Sequence, residues 1–241
     1  MAKTVYICLI REGGAVKDLK IIVLQLSLFF FFQTCHNQPD SDKHFKDQLI
    51  QAGKRCYDRG LFWGTGGDIS VRIPDSDRFI IKGTGHCVGD LEYRKLSVVN
   101  LDDSLMNGPA PSHETAIHSA IYKLRQDVGA ILHMHAPYAT AWATAGLKVP
   151  AITQQSVTLL QDCGIVSYHP VGSEALTEAI TELYSNPGTS VVLMENHGVF
   201  VVGKDLEDLL YKAETVENTA RIAYLCKALG DPRDFVSQLT Y

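Results

Sequence analysis

The chain has 241 residues, 46% of them hydrophobic and 20% charged, with a formal net charge of −5. This is the balance of a soluble globular protein long enough to bury a core without crosslinks. It lacks the basic footprint of a nucleic-acid binder, and no run of like charge marks a membrane-binding patch.

The first apolar segment, residues 21–32 (IIVLQLSLFFFF), is too short to span a bilayer as a helix. It has the length of a signal-peptide core, but Glu12 and Asp18 precede it and no small-residue cleavage site follows. Residues 1–40 therefore read as an N-terminal extension of uncertain status, with the FFFF run buried, processed or absent in the mature protein. Residues 41–241 read as one domain, without repeats or linkers. The six cysteines are scattered with no CxxC pair, which suits reduced thiols and a cytoplasmic setting.

Ser41 is a candidate N-cap for a helix in which Phe45, Leu49, Ala52 and Cys56 recur at helical spacing and Gly60 is the stop. A WGTGGD loop leads to two β-like runs, 69–73 and 78–82, joined by Pro74-Asp75-Ser76-Asp77 as a hairpin. A second glycine loop, 83–86, precedes a strand at 98–101. Pro111-Ser112 opens a helix to about Leu124, with Ser112 as N-cap and Glu114 in its first turn. A buried strand at 130–135 runs into a helix with Pro137 at its first position, and another helix covers 173–184. The β-branched runs 190–194 and 199–202 flank Glu195-Asn196-His197-Gly198, and a last helix covers 206–229 before Gly230.

Several residues carry potential chemistry. In His133-Met134-His135, strand alternation turns both imidazoles to one side, a ready chelate for zinc, although two histidines hydrogen-bonding at a strand end would look the same. His197 sits at a sharp turn where Gly198 permits unusual backbone or close approach; a solvent-facing turn histidine is the plainer reading. Glu114 suits a helix N-terminus on electrostatic grounds alone, or serves as a metal-proximal proton carrier. His118 shares its helix face and reads as a core or supporting residue. The Gly64–Gly67 and Gly83–Gly85 loops could cradle an anion but match no nucleotide fingerprint.

In this order, GTGGDISVR, KGTG, PSHETAIHSAIY, ILHMHAPYATA and ENHGVFVVG make the chain resemble the class II aldolase/adducin family across residues 43–229. The resemblance implies an α/β fold, an α/β/α sandwich with a central mostly antiparallel β-sheet, here a catalytic domain over residues 41–241. It implies homotetramers with active sites at subunit interfaces. By it, His133, His135 and His197 bind zinc, or another divalent ion such as Mn2+, and Glu114 is both fourth ligand and catalytic proton carrier. Gly67, Asp68, Thr84, Gly85, Ser112 and His113 match the family's cradle for a substrate phosphate.

The implied activity is that of a zinc-dependent lyase, a sugar-phosphate aldolase in style, cleaving a C–C bond of a small hydroxy-carbonyl substrate through a metal-stabilised enediolate. A decarboxylase, dehydratase or pentulose-phosphate 4-epimerase of the same family is the alternative. A non-catalytic adducin-type assembly module is a weaker fit, because all four ligand positions are intact. A structural zinc protein is a third reading. Three departures bear on the substrate: the family's sugar-phosphate aldolases usually carry asparagine at Asp68, serine at His113 and tyrosine at Gln154. An ionised Asp68 beside a phosphate costs about 1 kcal/mol or more, against which Lys82 and His113 are possible offsets. Tyr241 is a candidate contributor from a neighbouring subunit.

Overall fold

The computed structural model describes residues 42–160 and 162–230; the apolar run 21–32, Ser41 and Tyr241 lie outside the described residues. Helix α1 (Lys43–Asp58) starts from Asp42 and buries Leu49, Ala52 and Cys56. Its end is a Schellman turn: Gly60, at φ +74°, donates to Tyr57 O at 2.9 Å, and Leu61 donates to Cys56 O at 3.1 Å. Only glycine takes that backbone without strain, so the helix stops at the residue the sequence marked.

Eight strands form one sheet: β1 (Asp68–Ile73), β2 (Arg78–Lys82), β3 (Leu96–Asn100), β4 (Leu105–Asn107), β5 (Ala130–Met134), β6 (Asp162–Val166), β7 (Thr189–Met194) and β8 (Gly198–Gly203). Their order is β4-β3-β2-β1-β5-β8-β7-β6, antiparallel throughout except for the parallel β6–β7 pair. That parallel pair needs a crossover, which helix α5 (Glu174–Tyr184) supplies.

Alternation along each strand sends side chains into two separate cores. Ala130, Leu132, Met134, Val199 and Val201 join one cluster with Leu49, Ala139, Leu209 and Val216. Helices α1, α3 (Pro137–Thr144) and α6 (Leu206–Leu229) close that face. Ile131, Phe200 and Val202 join the other, with Ile117 and Ile121 of α2 (Thr115–Leu124) and Ile180 of α5. The result is an α/β/α sandwich around a mostly antiparallel sheet.

Among the described strands and α-helices, three escaped the sequence reading: β4, the short helix α4 (Gln154–Leu160) and β6. All three residues of β4 are exposed, so no apolar period marks it. Helix α2 begins at Thr115 rather than at Pro111-Ser112; Glu114 holds the N-cap position, and Ser112 lies two residues further back. Ser112 Oγ accepts from Glu114 N at 3.4 Å while donating its own proton to Asp68.

Truncating the central strand tests the two-core arrangement. Leu132→Ala, at a fully buried position, is expected to cost about 2–5 kcal/mol in chemical denaturation. A loss no larger than that of an exposed-site control contradicts the packing described.

Candidate active site

The end of the sheet where β1 begins and β5 finishes gathers the histidines. The antiparallel register sets Asp68 opposite His133, and His133 opposite Phe200 of β8. The His133 ring lies on Phe200, centroids 4.8 Å apart and planes within 17°. Its Nδ1 is 3.4 Å from Val199 O, a carbonyl that can only accept. The proton therefore belongs on Nδ1, and the Nε2 lone pair faces the cleft.

His135 lies one residue beyond β5. Its ring occupies a slot between two glycines: a Cβ on Gly66 would sit 2.8 Å from His135 Nδ1, and one on Gly198 would sit 2.7 Å from Cδ2. Close approach is thus what Gly198 provides. The unusual backbone of that turn falls instead on Asn196, at φ +55°, where His197 N donates to Met194 O and the ring swings into the cleft.

The three rings converge, with one candidate ligand atom from each of His133, His135 and His197 all within 4.8 Å of one another. His135 Nε2 and His133 Nε2 are 3.0 Å apart. Glu114 Oε2 is 3.0 Å from His133 Nε2, and Oε1 is 3.7 Å from His197 Nε2. Although Glu114 stands at the N-cap of α2, its side chain caps nothing. Buried Glu114 Oε1 and His197 Nδ1 have no hydrogen-bond partner. The macrodipole explanation for Glu114 therefore does not account for where its carboxylate goes.

Electrostatics follow from this crowding. Burial raises the Glu114 carboxyl, but the His133 ring outweighs it, and the net pKa lies below the ordinary value. Burial lowers His133, yet Glu114 and then Asp68 draw it above the ordinary imidazole value. His135 falls to about 4 through burial and the neighbouring rings, so it is neutral with its lone pair available. His197 also falls, by burial first and then by His133.

Asp68 departs from its expected place in an anion cradle. It is 1% exposed; Oδ1 accepts from His118 Nε2 at 2.8 Å, and Oδ2 accepts from Ser112 Oγ. Ser70 Oγ then meets His118 Nδ1 at 2.7 Å and the Tyr122 hydroxyl at 2.8 Å. A buried carboxylate bonded this way stays ionised without facing the cleft, and its pKa is lowered by His118 despite the opposing effect of burial. The sequence did contain a signal for this network. Asp68 and Ser70 are two apart on a strand, while His118 and Tyr122 are four apart on a helix, so each pair shares a face.

The remaining cradle residues stand on loops pinned together. Lys82 Nζ, buried, donates to Thr65 O at 2.9 Å and His86 O at 2.8 Å, tying the two glycine loops. Ser112 N donates to Lys82 O at 3.2 Å, and Thr84 N to Ala110 O at 2.9 Å, which adds the loop before α2. Gly67, at φ +70°, rests on His133 O, which a Cβ would approach to 2.5 Å. Gly85 also has a left-handed backbone, and both Gly85 and His113 are exposed. Gln154, at the start of α4, is exposed as well.

The chain is similar to several known proteins. Residues 47–224 match the family model described as Class II Aldolase and Adducin N-terminal domain. An L-fuculose phosphate aldolase of Methanocaldococcus jannaschii is 31% identical over 180 residues, 75% of this chain and 96% of that protein. A 3-oxo-tetronate 4-phosphate decarboxylase of Haemophilus influenzae is 32% identical over 185 residues, 74% of this chain and 86% of that one. The crystal structure of YgbL from Klebsiella pneumoniae, described as an aldolase/epimerase/decarboxylase candidate, superposes with a TM-score of 0.76 at 28% identity, covering 84% of this chain and 100% of that one. The chain belongs to the class II aldolase/adducin family.

Proposed function

We propose that this chain is a zinc-dependent lyase in which His133, His135, His197 and Glu114 hold the metal, and in which Glu114 also carries the proton. One observation supports this reading above the others. Three potential ligand atoms, His133 Nε2, His135 Nε2 and Glu114 Oε2, face one another, with His133 Nε2 at 3.0 Å from each of the other two. Imidazole nitrogens and a carboxylate gathered in one buried place are a donor set suited to a cation between them.

The donor set fits zinc. Two imidazole nitrogens bound tetrahedrally at about 2.0–2.1 Å would lie roughly 3.3–3.4 Å apart. Three histidines with one exchangeable carboxylate match a catalytic site rather than a closed structural one. When bound, zinc supplies Lewis acidity that stabilises negative charge developing as a C–C bond breaks.

The chain's own groups do the rest. Val199 O and the Phe200 ring fix His133, and the Gly66–Gly198 slot fixes His135. Glu114, ionised and with Oε1 unpartnered, is the group placed to take a proton from the substrate and return it. The pinned loops offer Gly67, Gly85 and the Thr84 hydroxyl to an anionic end of the substrate, with exposed His113 nearby in sequence; Ser112, whose N–H and hydroxyl are taken by Lys82 O and Asp68, joins them only by exchanging a partner. Asp68 is held by hydrogen bonds from His118 and Ser112, which turn its two oxygens towards those partners. A phosphorylated hydroxy-carbonyl substrate is therefore compatible with this site.

A second reading, decarboxylation on the same centre, is favoured by Gln154. Retro-aldol cleavage moves two protons, one off the hydroxyl and one onto the enediolate carbon, and an exposed glutamine offers no group to share that work with Glu114. Loss of carbon dioxide needs no such group. The family's homotetramer and a cytoplasmic setting form part of the proposal; Trp63, 64% exposed beside the Gly64–Gly67 loop, supports an interface at the site.

Purified protein is expected to hold about one zinc per chain and to lose it when His133 and His135 are both replaced by Ala; full occupancy in that variant contradicts the ligand assignment. Glu114→Gln should keep the fold while turnover drops by about 10²–10⁴-fold. Unchanged turnover removes Glu114 from the mechanism. Supplying L-fuculose phosphate, scored for aldehyde release, alongside 3-oxo-tetronate 4-phosphate, scored for carbon dioxide, separates the two readings; turnover of neither points to another substrate class.

A further inference from the structure

We propose that Glu217, on α6, is a positioning residue for His135, acting through the first turn of α3; the inference rests on the metal reading above. Helix α3 starts without a cap from its own side chains. Ala136, at the N-cap of α3, has no side chain able to accept a hydrogen bond, and Pro137 at the next position has no N–H. The amides of Tyr138 and Ala139 would be orphaned in the first turn. Both are taken by one carboxylate from a distant part of the chain: Tyr138 N donates to Glu217 Oε1 at 3.0 Å, and Ala139 N to Oε2 at 2.9 Å.

That clamp matters because of what precedes α3. The last ladder pair of β5 is Met134 with Val199, and His135 lies just outside it. Its backbone is thus a short span anchored upstream by the sheet and downstream by Glu217. The slot around its ring is narrow, since a Cβ on Gly66 would come within 2.8 Å of it and one on Gly198 within 2.7 Å. Any drift of the turn must move the ring. A bidentate carboxylate at a helix N-terminus also combines charge-assisted bonds with a favourable dipole, so it holds its geometry better than a neutral cap. Tight metal binding requires ligands held to about 0.5 Å, a precision that groups supporting the ligands supply.

Glu217 touches neither the metal site nor any histidine, so its role must be separated from plain stability. Trp142 provides the control. Its Nε1 donates to Ala220 O at 3.0 Å, across the same α3–α6 contact but away from the clamp. Zinc affinity is measured by competition with a chromophoric chelator for wild type, Glu217→Ala, Glu217→Gln and Trp142→Phe, with Tm and far-ultraviolet circular dichroism recorded for each. Glu217→Ala is expected to weaken zinc binding by about 10–100-fold, the range typical for partners that support metal ligands. Glu217→Gln should fall between, because its amide nitrogen faces a backbone donor; it also serves if the alanine variant does not fold. Trp142→Phe should lower Tm and leave zinc affinity unchanged. Equal affinity in wild type and both Glu217 variants overturns the inference, as does equal weakening in Trp142→Phe. A wild type that binds no zinc overturns the metal reading, a result distinct from either.

Discussion

The pairing register of β1, β5 and β8 is the constraint on which the site depends. It sets Asp68, His133 and Phe200 side by side across three strands, on the face covered by α2. A slip of one residue would turn His133 into the opposite core and bring Leu132 or Met134 into the cleft. Deep burial on both faces of the sheet prevents that slip. The histidine cluster is in this sense a consequence of the packed sandwich rather than an addition to it.

Burial also explains the polar wiring. An unpaired carboxylate in an apolar layer costs several kcal/mol, so each buried charge at this end of the sheet has a specific partner. Asp68 meets His118 and Ser112, and Glu114 meets His133. Lys82 spends its charge on two loop carbonyls, and its pKa is lowered by burial. Only Glu114 Oε1 and His197 Nδ1, among the polar atoms of the proposed ligands, are buried without a hydrogen bond. The orphaned oxygen belongs to the carboxylate to which the proton-carrying role is assigned.

Much of this was legible in the sequence, for identifiable reasons. Elements with a strong period and a chemical stop, such as α1 with Gly60 and α6 with Gly230, stand within a residue or two of where patterning sets them. The His133–His135 convergence follows from strand alternation carried one residue past β5, where the Gly66–Gly198 slot receives the second ring. Asp68 was legible as a residue but not in its role, because its partners are His118 on α2 and Ser112 just ahead of that helix, 50 and 44 residues along the chain. The start of α2 was misplaced because Ser112 has the residue type of a cap, whereas the N-cap position falls two residues later, on Glu114. Strand β4 has no buried residue to announce it, and α4 is too short to show a period. Glu217 gave no signal, since a cap supplied from another helix leaves no trace in local spacing.

The proposed centre is tested most directly by cobalt substitution. Cobalt(II) in a four-coordinate site of three imidazole nitrogens and one carboxylate oxygen gives intense visible absorption, unlike the pale spectrum of the hydrated ion. The account predicts that spectrum in wild type, in one-to-one proportion with chain, and its loss in His197→Ala. A protein that leaves the hydrated-ion spectrum unchanged contradicts the convergence of His133, His135, His197 and Glu114 on a single metal.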